Sequence, residues 1–390
     1  MSLIKECLKN SRSQISKLLS PRLTTVVRVS YPVAKEPDYY KAGGFHPISL
    51  GDSFQNGQYT ILRKLGYGQY SAVWLARDAK HQKYVALKVL RADYYGGSHD
   101  IFEREILSKI LEVSRHSSHQ GRNYVSHLLE QFTHTGSNGD RVCLAFDVLG
   151  HHLDFQIAKY EDGKLPLLLA FDFLHRECGI IHTDLKPTNI LLELKNPSRT
   201  IANYLSEVPA RTLSQRGVNT PLREVISTSL VPEIKSLHVR LIDFGVASWK
   251  ERRLSDLIQS QAMRAPEVTM GAPWDTGVDI WSLGCLVMEL VQGIVLFSGD
   301  ESSNGTWTAE DDHLARIMEV LARSLLRLPD LKPTCLERLV NGTTNPFLKP
   351  IDMPEAEVPI FVDFLKGMLE IDPGSQKPAA ELLQHEWVCP

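Results

Sequence analysis

The sequence predicts an α+β fold of two lobes, a small β-rich N-lobe followed by a large helical C-lobe. Between residues 59 and 150, short runs rich in β-branched residues alternate with turns that contain glycine. Beyond residue 150, apolar residues recur with helical spacing instead. Residues 278–293 are apolar on nearly every side, which is typical of a helix buried in the core of a large lobe.

Composition and length limit the possible classes of protein. The 390 residues are 43% hydrophobic and 23% charged, which is ordinary for a globular protein large enough for two lobes. The net charge of −3 gives no general attraction to nucleic acid or anionic lipid, so we expect neither as a direct partner. No apolar run reaches the roughly 18 residues of a membrane span. The six scattered cysteines form no CxxC pair, which favours a reducing compartment over a zinc site or disulfide framework.

The first 30 residues differ in composition from the rest of the chain. This segment contains six basic residues, one acidic residue, Glu6, and six serines. This composition is typical both of a mitochondrial transit peptide and of a disordered basic tail, and both interpretations stay open. Residues 31–58 form a lead-in, and the regular pattern covers residues 59–388.

Four strands and one helix are predicted in the N-lobe, residues 59–149. The strands are "YTILRKL", "SAVWLARD", "YVALKVL" and "RVCLAFDVLG", at residues 59–65, 71–78, 84–90 and 141–150. The helix follows the third strand, where five residues share one face at i, i+3, i+4, i+7 and i+8 spacing: Glu103, Ile106, Leu107, Ile110 and Leu111.

Helices dominate the predicted C-lobe, residues 150–388. Besides the buried helix at 278–293, amphipathic helices are predicted at residues 311–326 and 359–370, and a further helix at 379–388. Residues 193–238 are rich in Ser, Thr, Asn and Pro and have weak periodicity, so we expect a partly disordered insert on the surface.

A cluster of polar residues in "GIIHTDLKPTNILL", residues 179–192, suggests chemistry. His182, Asp184, Lys186 and Asn189 lie between two apolar runs. Alone, this pattern fits a polar loop between two buried strands. Other segments favour a catalytic interpretation.

Three such segments contain groups that suit a phosphate ligand. In "LGYGQYSAV" the glycines Gly66 and Gly68 let backbone amides approach phosphates, although such turns are common in hairpins. Lys88 occupies a strand position that is normally apolar, which is costly without an anion, and Glu103 on the next helix is placed to orient it. In "LIDFG", Asp243 directly follows an apolar strand.

The order of these segments, followed by "RAPE" at 264–267, resembles the protein-kinase signature set. The resemblance implies a protein-kinase fold that binds ATP and Mg²⁺. It implies that Asp184 orients the attacking hydroxyl and that Lys186 lies by the γ-phosphate. Asn189 and Asp243 are the implied Mg²⁺ ligands.

The same resemblance implies the remainder of the nucleotide site. Lys88, paired with Glu103, is expected to hold the α- and β-phosphates, and the backbone from Asp147 to Leu149 to bond adenine. The expected apolar contacts of adenine are Leu65, Val73, Ala86, Leu149, Leu191 and Ile242, with Phe146 at the back. Core packing explains Phe146 equally well.

Longer segments resemble the SR-protein kinase family. They are "GGFHPISLGDSFQNGQYTILRKLGYGQYSAVWLARD" at 43–78, "FDVLGHHL" at 146–153 and "IIHTDLKPTNILL". The resemblance spans roughly residues 30 to 388 and implies a monomeric serine/threonine kinase for Arg/Ser-rich proteins in mRNA processing. It implies a location in the cytoplasm and nucleus, and a short spacer at 193–238.

Two family features concern regulation and substrate. Thr183 stands where many kinases have an arginine that binds an activation-loop phosphate, so we expect activity that needs no such phosphate. Asp312 and Glu319 match the family's acidic docking groove, whereas Ile294 replaces a further groove acid. An ordinary solvated helix start is the alternative for Asp312 and Glu319.

Several departures leave a second hypothesis open, a pseudokinase with an ATP-binding or docking role. Gln261, Ala262 and Met263 replace the family's polar-aromatic residues in the segment before "RAPE". Gln376 stands where an arginine normally pairs with Glu267, for which Lys377 is the possible substitute. The helix before the catalytic loop, residues 164–178, is about ten residues shorter than expected. The presence of every catalytic side chain favours the active kinase.

Overall fold

The computed structural model describes residues 42–94, 102–136, 139–152, 166–208, 238–303, 305–321, 334–350 and 353–389. The basic segment at 1–30, with its two interpretations, therefore lies outside the described residues. Most of the predicted insert, residues 209–237, also lies outside them.

The N-lobe is built on a six-stranded antiparallel sheet whose strand order is β1-β2-β3-β4-β6-β5. All four predicted strands are present, and sequence analysis missed β1 and β5. The strands are β1 (Ser53–Phe54), β2 (Tyr59–Tyr67), β3 (Ser71–Asp78), β4 (Lys83–Leu90), β5 (Leu128–Gly136) and β6 (Gly139–Asp147).

Helix α1, Glu103–His116, packs against this sheet. The predicted face is buried at Glu103, Ile106, Leu107 and Ile110. Leu111 is only half-buried, and the small side chain of Ser114 continues the buried face one turn further on. The face is therefore narrower than predicted, as expected for a helix that covers one side of a sheet.

The C-lobe consists of helices and two short two-stranded sheets. The sheets pair β7 (Ile180–Ile181) with β10 (Ser248–Trp249), and β8 (Ile190–Leu192) with β9 (Val239–Leu241). The helices are α2 (Pro166–Asp172), α3 (Pro197–Glu207), α4 (Pro266–Thr269), α5 (Gly277–Gln292), α6 (Ala309–Leu321), α7 (Leu336–Val340), α8 (Glu357–Met368) and α9 (Ala379–Leu382). The predicted buried helix is α5, whose residues 278–289 are all buried.

Helix α2 continues as one π-helical stretch, Phe173–Cys178, and ends at Gly179. Gly179 adopts a left-handed φ of 65°, which a residue without a Cβ adopts at little cost. The side chains of Phe171, Phe173 and Leu174 are fully buried. The described part of this short helix therefore still fills the core of the large lobe.

Two predictions for the C-lobe need correction. The predicted irregular insert begins with a regular helix, α3, whose Ile201 is fully buried against Leu75 and Val148 of the N-lobe. The periodicity was weak because a single buried side chain anchors the helix. At the carboxy terminus, only Ala379–Leu382 is helical, and turns follow in the described residues up to 388.

Across the described ranges, none of the helices combines the length and apolar character that crossing a membrane requires.

We predict that Ile201→Ala destabilises the folded protein by roughly 2 to 4 kcal/mol, because the truncation leaves a cavity between α3 and the sheet. Urea unfolding measures this change as a lower midpoint with an unaltered slope. Asn203→Ala on the exposed face of α3 is the matched control and should change stability little. Equal effects of the two substitutions would contradict the packing role of Ile201.

Candidate active site

Lys88 lies at the centre of the candidate site, between carboxylates from both lobes. Its Nζ is 2.5 Å from Oε1 of Glu103 and 2.8 Å from Oδ1 of Asp243. Strand β4 places Lys88 here, and the side chain is nearly buried. A lysine can be buried in this position because both carboxylates neutralise it.

The charges of this triad reinforce one another. Burial opposes a charged Lys88, but the carboxylates of Asp243 and Glu103 together raise its pKa above the usual value. The Lys88 ammonium lowers the pKa of Asp243 to about 2. Burial raises the pKa of Glu103, and Lys88 opposes that rise. Asp243 thus keeps its negative charge, which a side chain needs in order to bind a cation.

The polar cluster of the catalytic loop forms a connected network around Asp184. Lys186 Nζ donates to Asp184 Oδ2 at 2.6 Å. Asn189 Nδ2 donates to the Asp184 carbonyl at 2.8 Å and to its Oδ2 at 3.1 Å. The structure therefore brings together three of the four residues that the sequence singled out in this loop.

His182 joins the catalytic loop to the segment that contains Asp243. The buried imidazole Nε2 lies 2.9 Å from the carbonyl of Ile242, and the ring meets Phe244 edge-on at 5.0 Å. The Ile242 amide donates to the carbonyl of Asn189 at 2.9 Å. Through these bonds the backbone links Asn189 and Asp243, the two predicted metal ligands.

Sequence analysis missed Asp279, which fixes the backbone of the catalytic loop. Its buried carboxylate accepts hydrogen bonds from the amides of His182 and Thr183, both at 2.8 Å. His175 Nε2 lies 2.8 Å from the same carboxylate. The acid in the first turn of the largely apolar helix α5 was the signal that could have revealed it, since a buried carboxylate needs donors.

Thr183 ties the catalytic loop to the segment after Asp243. Its side chain is fully buried, its φ is 66°, and Oγ1 donates to the carbonyl of Val246 at 2.7 Å. The carbonyl of Thr183 accepts from the amide of Gln259 at 3.0 Å. Uncharged groups of the chain itself therefore hold the position that an arginine occupies in many kinases.

Gln259, also missed, organises the segment before "RAPE". Its Nε2, with two hydrogens to donate, lies within hydrogen-bonding distance of the carbonyls of Met263 and Val278 and of Ser282 Oγ, at 3.1, 2.8 and 2.7 Å. Its Oε1 accepts from the amide of Ala265 at 3.0 Å. Because one buried amide contacts four groups, this segment is anchored directly on α5.

The predicted adenine contacts share one property, incomplete burial. Leu65, Val73, Ala86, Phe146, Leu149, Leu191 and Ile242 are all half-buried. Their strand neighbours, such as Ala72 and Trp74 beside Val73, are buried instead. Leu65 packs against the cluster that contains Leu75 and Ile201, and Phe146 packs against the main core. Contact of these seven side chains with adenine stays a prediction.

Gly66, near the end of β2, and Gly68, in the turn that follows, lie in open space. A Cβ atom added to Gly66 or Gly68 would meet nothing within 4 Å. The amide of Gly68 donates to the carbonyl of Ser71 at 2.9 Å, so the hairpin itself uses this amide. Asp147, the last residue of β6, is exposed and pairs with Lys83 at 3.3 Å.

Glu267 lacks the partner that sequence analysis proposed. Lys377 Nζ is 3.6 Å from Glu381, and Gln376 Nε2 donates to the carbonyl of Met368 at 2.7 Å. The proposed substitution by Lys377 is therefore wrong, because a carboxylate one helical turn away binds it. Within the described ranges Glu267 forms no ion pair, and burial raises its pKa to about 7.

The predicted docking residues lie on helix α6. Asp312 Oδ2 accepts from Arg316 Nε at 2.7 Å and from the backbone amide of Asp300 at 2.8 Å. Glu319 is half-buried on the same helix, and its carbonyl accepts from the amide of Thr334 at 2.8 Å. Asp312 is thus already engaged by groups of this chain.

Comparisons with known proteins agree with this geometry. A family model described as a protein kinase domain matches residues 59–388. A serine/threonine-protein kinase SRPK of Physarum polycephalum is 31% identical over 393 residues, covering 90% of each chain. Protein kinase dsk1 of Schizosaccharomyces pombe is 30% identical over 380 residues, which cover 72% of this chain and 69% of the relative. SRSF protein kinase 3 of Mus musculus is 24% identical, covering 91% and 90%.

The match over residues 59–388 makes the chain a protein kinase, as its fold and the arrangement around Lys88 suggest. The prediction of a two-lobed protein-kinase fold is confirmed. The relatives further show that the chain belongs to the SR-protein kinase family of serine/threonine kinases.

We predict that Glu267 makes the stability of the C-lobe depend on pH. Its folded pKa of about 7 exceeds the usual 4.5, so folding is favoured by proton binding. That stabilisation is complete below pH 4.5 and is lost as the pH rises to about 7. Glu267→Gln removes the titration. Its unfolding free energy relative to the wild type should therefore rise by roughly 2 kcal/mol between about pH 5.5 and about pH 8.

Denaturant unfolding at the two pH values provides the measurement. Exposed Glu251 offers a matched control, because Glu251→Gln should change stability equally at both pH values. If the difference between Glu267→Gln and the wild type is the same at both, the carboxyl group of Glu267 does not titrate between these pH values, and the prediction is wrong.

Proposed function

We propose that the chain transfers the γ-phosphoryl group of Mg-ATP to serines in Arg/Ser-rich proteins, as part of mRNA processing. The assembled triad of Lys88, Glu103 and Asp243 is the observation that carries this proposal. In protein kinases, a lysine paired with a glutamate of the small lobe binds the ATP phosphates, and an aspartate of the large lobe binds the metal ion. The three side chains of this chain have that arrangement.

The residues present suit Mg²⁺, which prefers oxygen ligands. Asp243 contributes a carboxylate that stays ionised beside Lys88 and is 45% exposed. The amide nitrogen of Asn189 donates to Asp184, so its amide oxygen is the atom left to bind a cation. When bound, the cation neutralises charge on the phosphates.

Asp184 has the role of orienting the serine hydroxyl. Its carboxylate accepts from both Lys186 and Asn189, which fixes its rotamer before any substrate arrives. With one oxygen held in this way, the other is the candidate acceptor for the hydroxyl proton. Lys186 is then placed to bind the γ-phosphate as charge moves between the reactants.

The substrate class rests on the relatives and on α6. One relative is named an SRSF protein kinase, and the same role is proposed for this chain. An arginine-rich segment needs carboxylates, for which Asp312 and Glu319 are the proposed docking pair.

A scaffold without phosphoryl transfer has less support. The described part of the short helix α2 still fills the core, and the catalytic network is complete. We also propose that the protein is a monomer and that it is located in the cytoplasm and the nucleus. Cys143, Cys178 and Cys285 are buried free thiols, as expected in a reducing compartment.

We predict that Asp184→Asn abolishes phosphorylation of an Arg/Ser repeat peptide while Mg-ATP binding persists. Asp184 orients the hydroxyl and does not hold the nucleotide, so only the chemical step should suffer. Radiolabel transfer measures the chemistry, and the increase in melting temperature on adding Mg-ATP measures binding.

Lys88→Met provides the contrast, because it should lose both the transfer and most of the thermal shift. Near-native turnover by Asp184→Asn would refute its catalytic role. A wild-type protein that binds Mg-ATP without phosphorylating the peptide would favour the scaffold.

We predict that Asp312→Ala combined with Glu319→Ala weakens binding of long Arg/Ser peptides roughly tenfold, at about 1 kcal/mol or less per exposed contact. Short peptides that reach only the active site should bind nearly as before, and salt should weaken the long peptides further. Titrations of both lengths at low and high salt test this. Equal losses for both lengths would remove the docking role from the pair.

A further inference from the structure

An arginine of the chain itself occupies the proposed docking groove. Arg316 Nε lies 2.7 Å from Asp312 Oδ2, and Arg316 Nη2 lies 3.4 Å from Asp300 Oδ2. Arg316 follows Asp312 by four residues and precedes Glu319 by three on helix α6, so all three share one face. The guanidinium therefore sits at the carboxylate that a substrate arginine would need.

This contact imitates the one expected from the substrate. Arg–carboxylate pairs are directional, because the guanidinium donates from a planar fork to a small number of acceptor positions. Asp312 already accepts from Arg316 and from the amide of Asp300, and its side chain is only 18% exposed. An incoming arginine must displace Arg316 or meet its positive charge.

The competing contact is weak enough to be displaced. Arg316 is 41% exposed, so solvent screens its attraction to Asp312 and the side chain has room to swing away. A peptide with many arginines offers a high local concentration of competing guanidinium groups, whereas a peptide with one or two does not. Displacement therefore depends on the number of arginines in the substrate.

We propose that Arg316 is an internal competitor for the docking groove, which weakens the docking of Arg/Ser segments that are long enough to reach Asp312. This inference rests on the proposed function of Asp312 as a docking residue. Arg316 thus influences substrate binding only through its contact with Asp312.

The test uses the full-length protein with fluorescent Arg/Ser peptides of two and eight dipeptide repeats, titrated at fixed ionic strength. Arg316→Ala should tighten binding of the long peptide about fivefold and leave the short peptide, which reaches only the active site, nearly unchanged, so the affinity ratio between the lengths rises. Arg316→Lys keeps a competing charge and should stay close to the wild type.

Arg176→Ala is the matched control. Arg176 also pairs with an aspartate one helical turn away, Asp172, at 3.2 Å, and its loss changes the net charge equally. It should alter neither affinity. The double variant Arg316→Ala with Asp312→Ala completes a cycle, in which the gain from Arg316→Ala should largely disappear.

The outcomes separate this inference from the proposed function. Unchanged affinities of Arg316→Ala, while Asp312→Ala weakens the wild type, would overturn the competitor role and leave the docking role standing. A gain that persists without Asp312 would also overturn it, because the effect would then be general electrostatics. A wild type that binds neither peptide would overturn both proposals.

Discussion

The catalytic loop depends on one buried carboxylate, that of Asp279. A carboxylate removed from water is strongly destabilising unless donors surround it, and here two loop amides and His175 do so. Because Asp279 is fixed on α5, whose other side chains fill the core, the packing of the large lobe determines the position of the loop. The left-handed backbone of Thr183 is held in place by the same bonds.

The ion pairs of Lys88 connect the two lobes. Glu103 reaches it from helix α1 and Asp243 from the C-lobe, and either carboxylate alone would leave the burial of the lysine poorly compensated. A shift of α1 or of the segment at Asp243 would therefore uncouple the sheet from the catalytic loop. The packing of Ile201 on α3 against the N-lobe adds an apolar contact between the same two lobes.

Sequence patterns predicted four of the six N-lobe strands and α1, because their apolar periodicity is local. They predicted the residues of the triad because phosphate chemistry requires particular residue types in a fixed order. Asp279 and Gln259 escaped prediction since they satisfy backbone groups that are distant in sequence, which no local pattern reports. Helix α3 escaped because its partner surface is formed by the N-lobe sheet. The proposed Lys377–Glu267 pair failed because Glu381, four residues along the same segment, competes for the lysine.

Glu267 has a consequence for how the large lobe moves. Above about pH 7 its carboxylate is a buried charge, and states in which it reaches water become relatively more favourable. Opening there would release the amide of Ala272 from the Glu267 carbonyl, a bond of 2.7 Å, and loosen α4. Above about pH 7 we therefore expect the amide protons of α4 to exchange with solvent through local opening that leaves α5 folded.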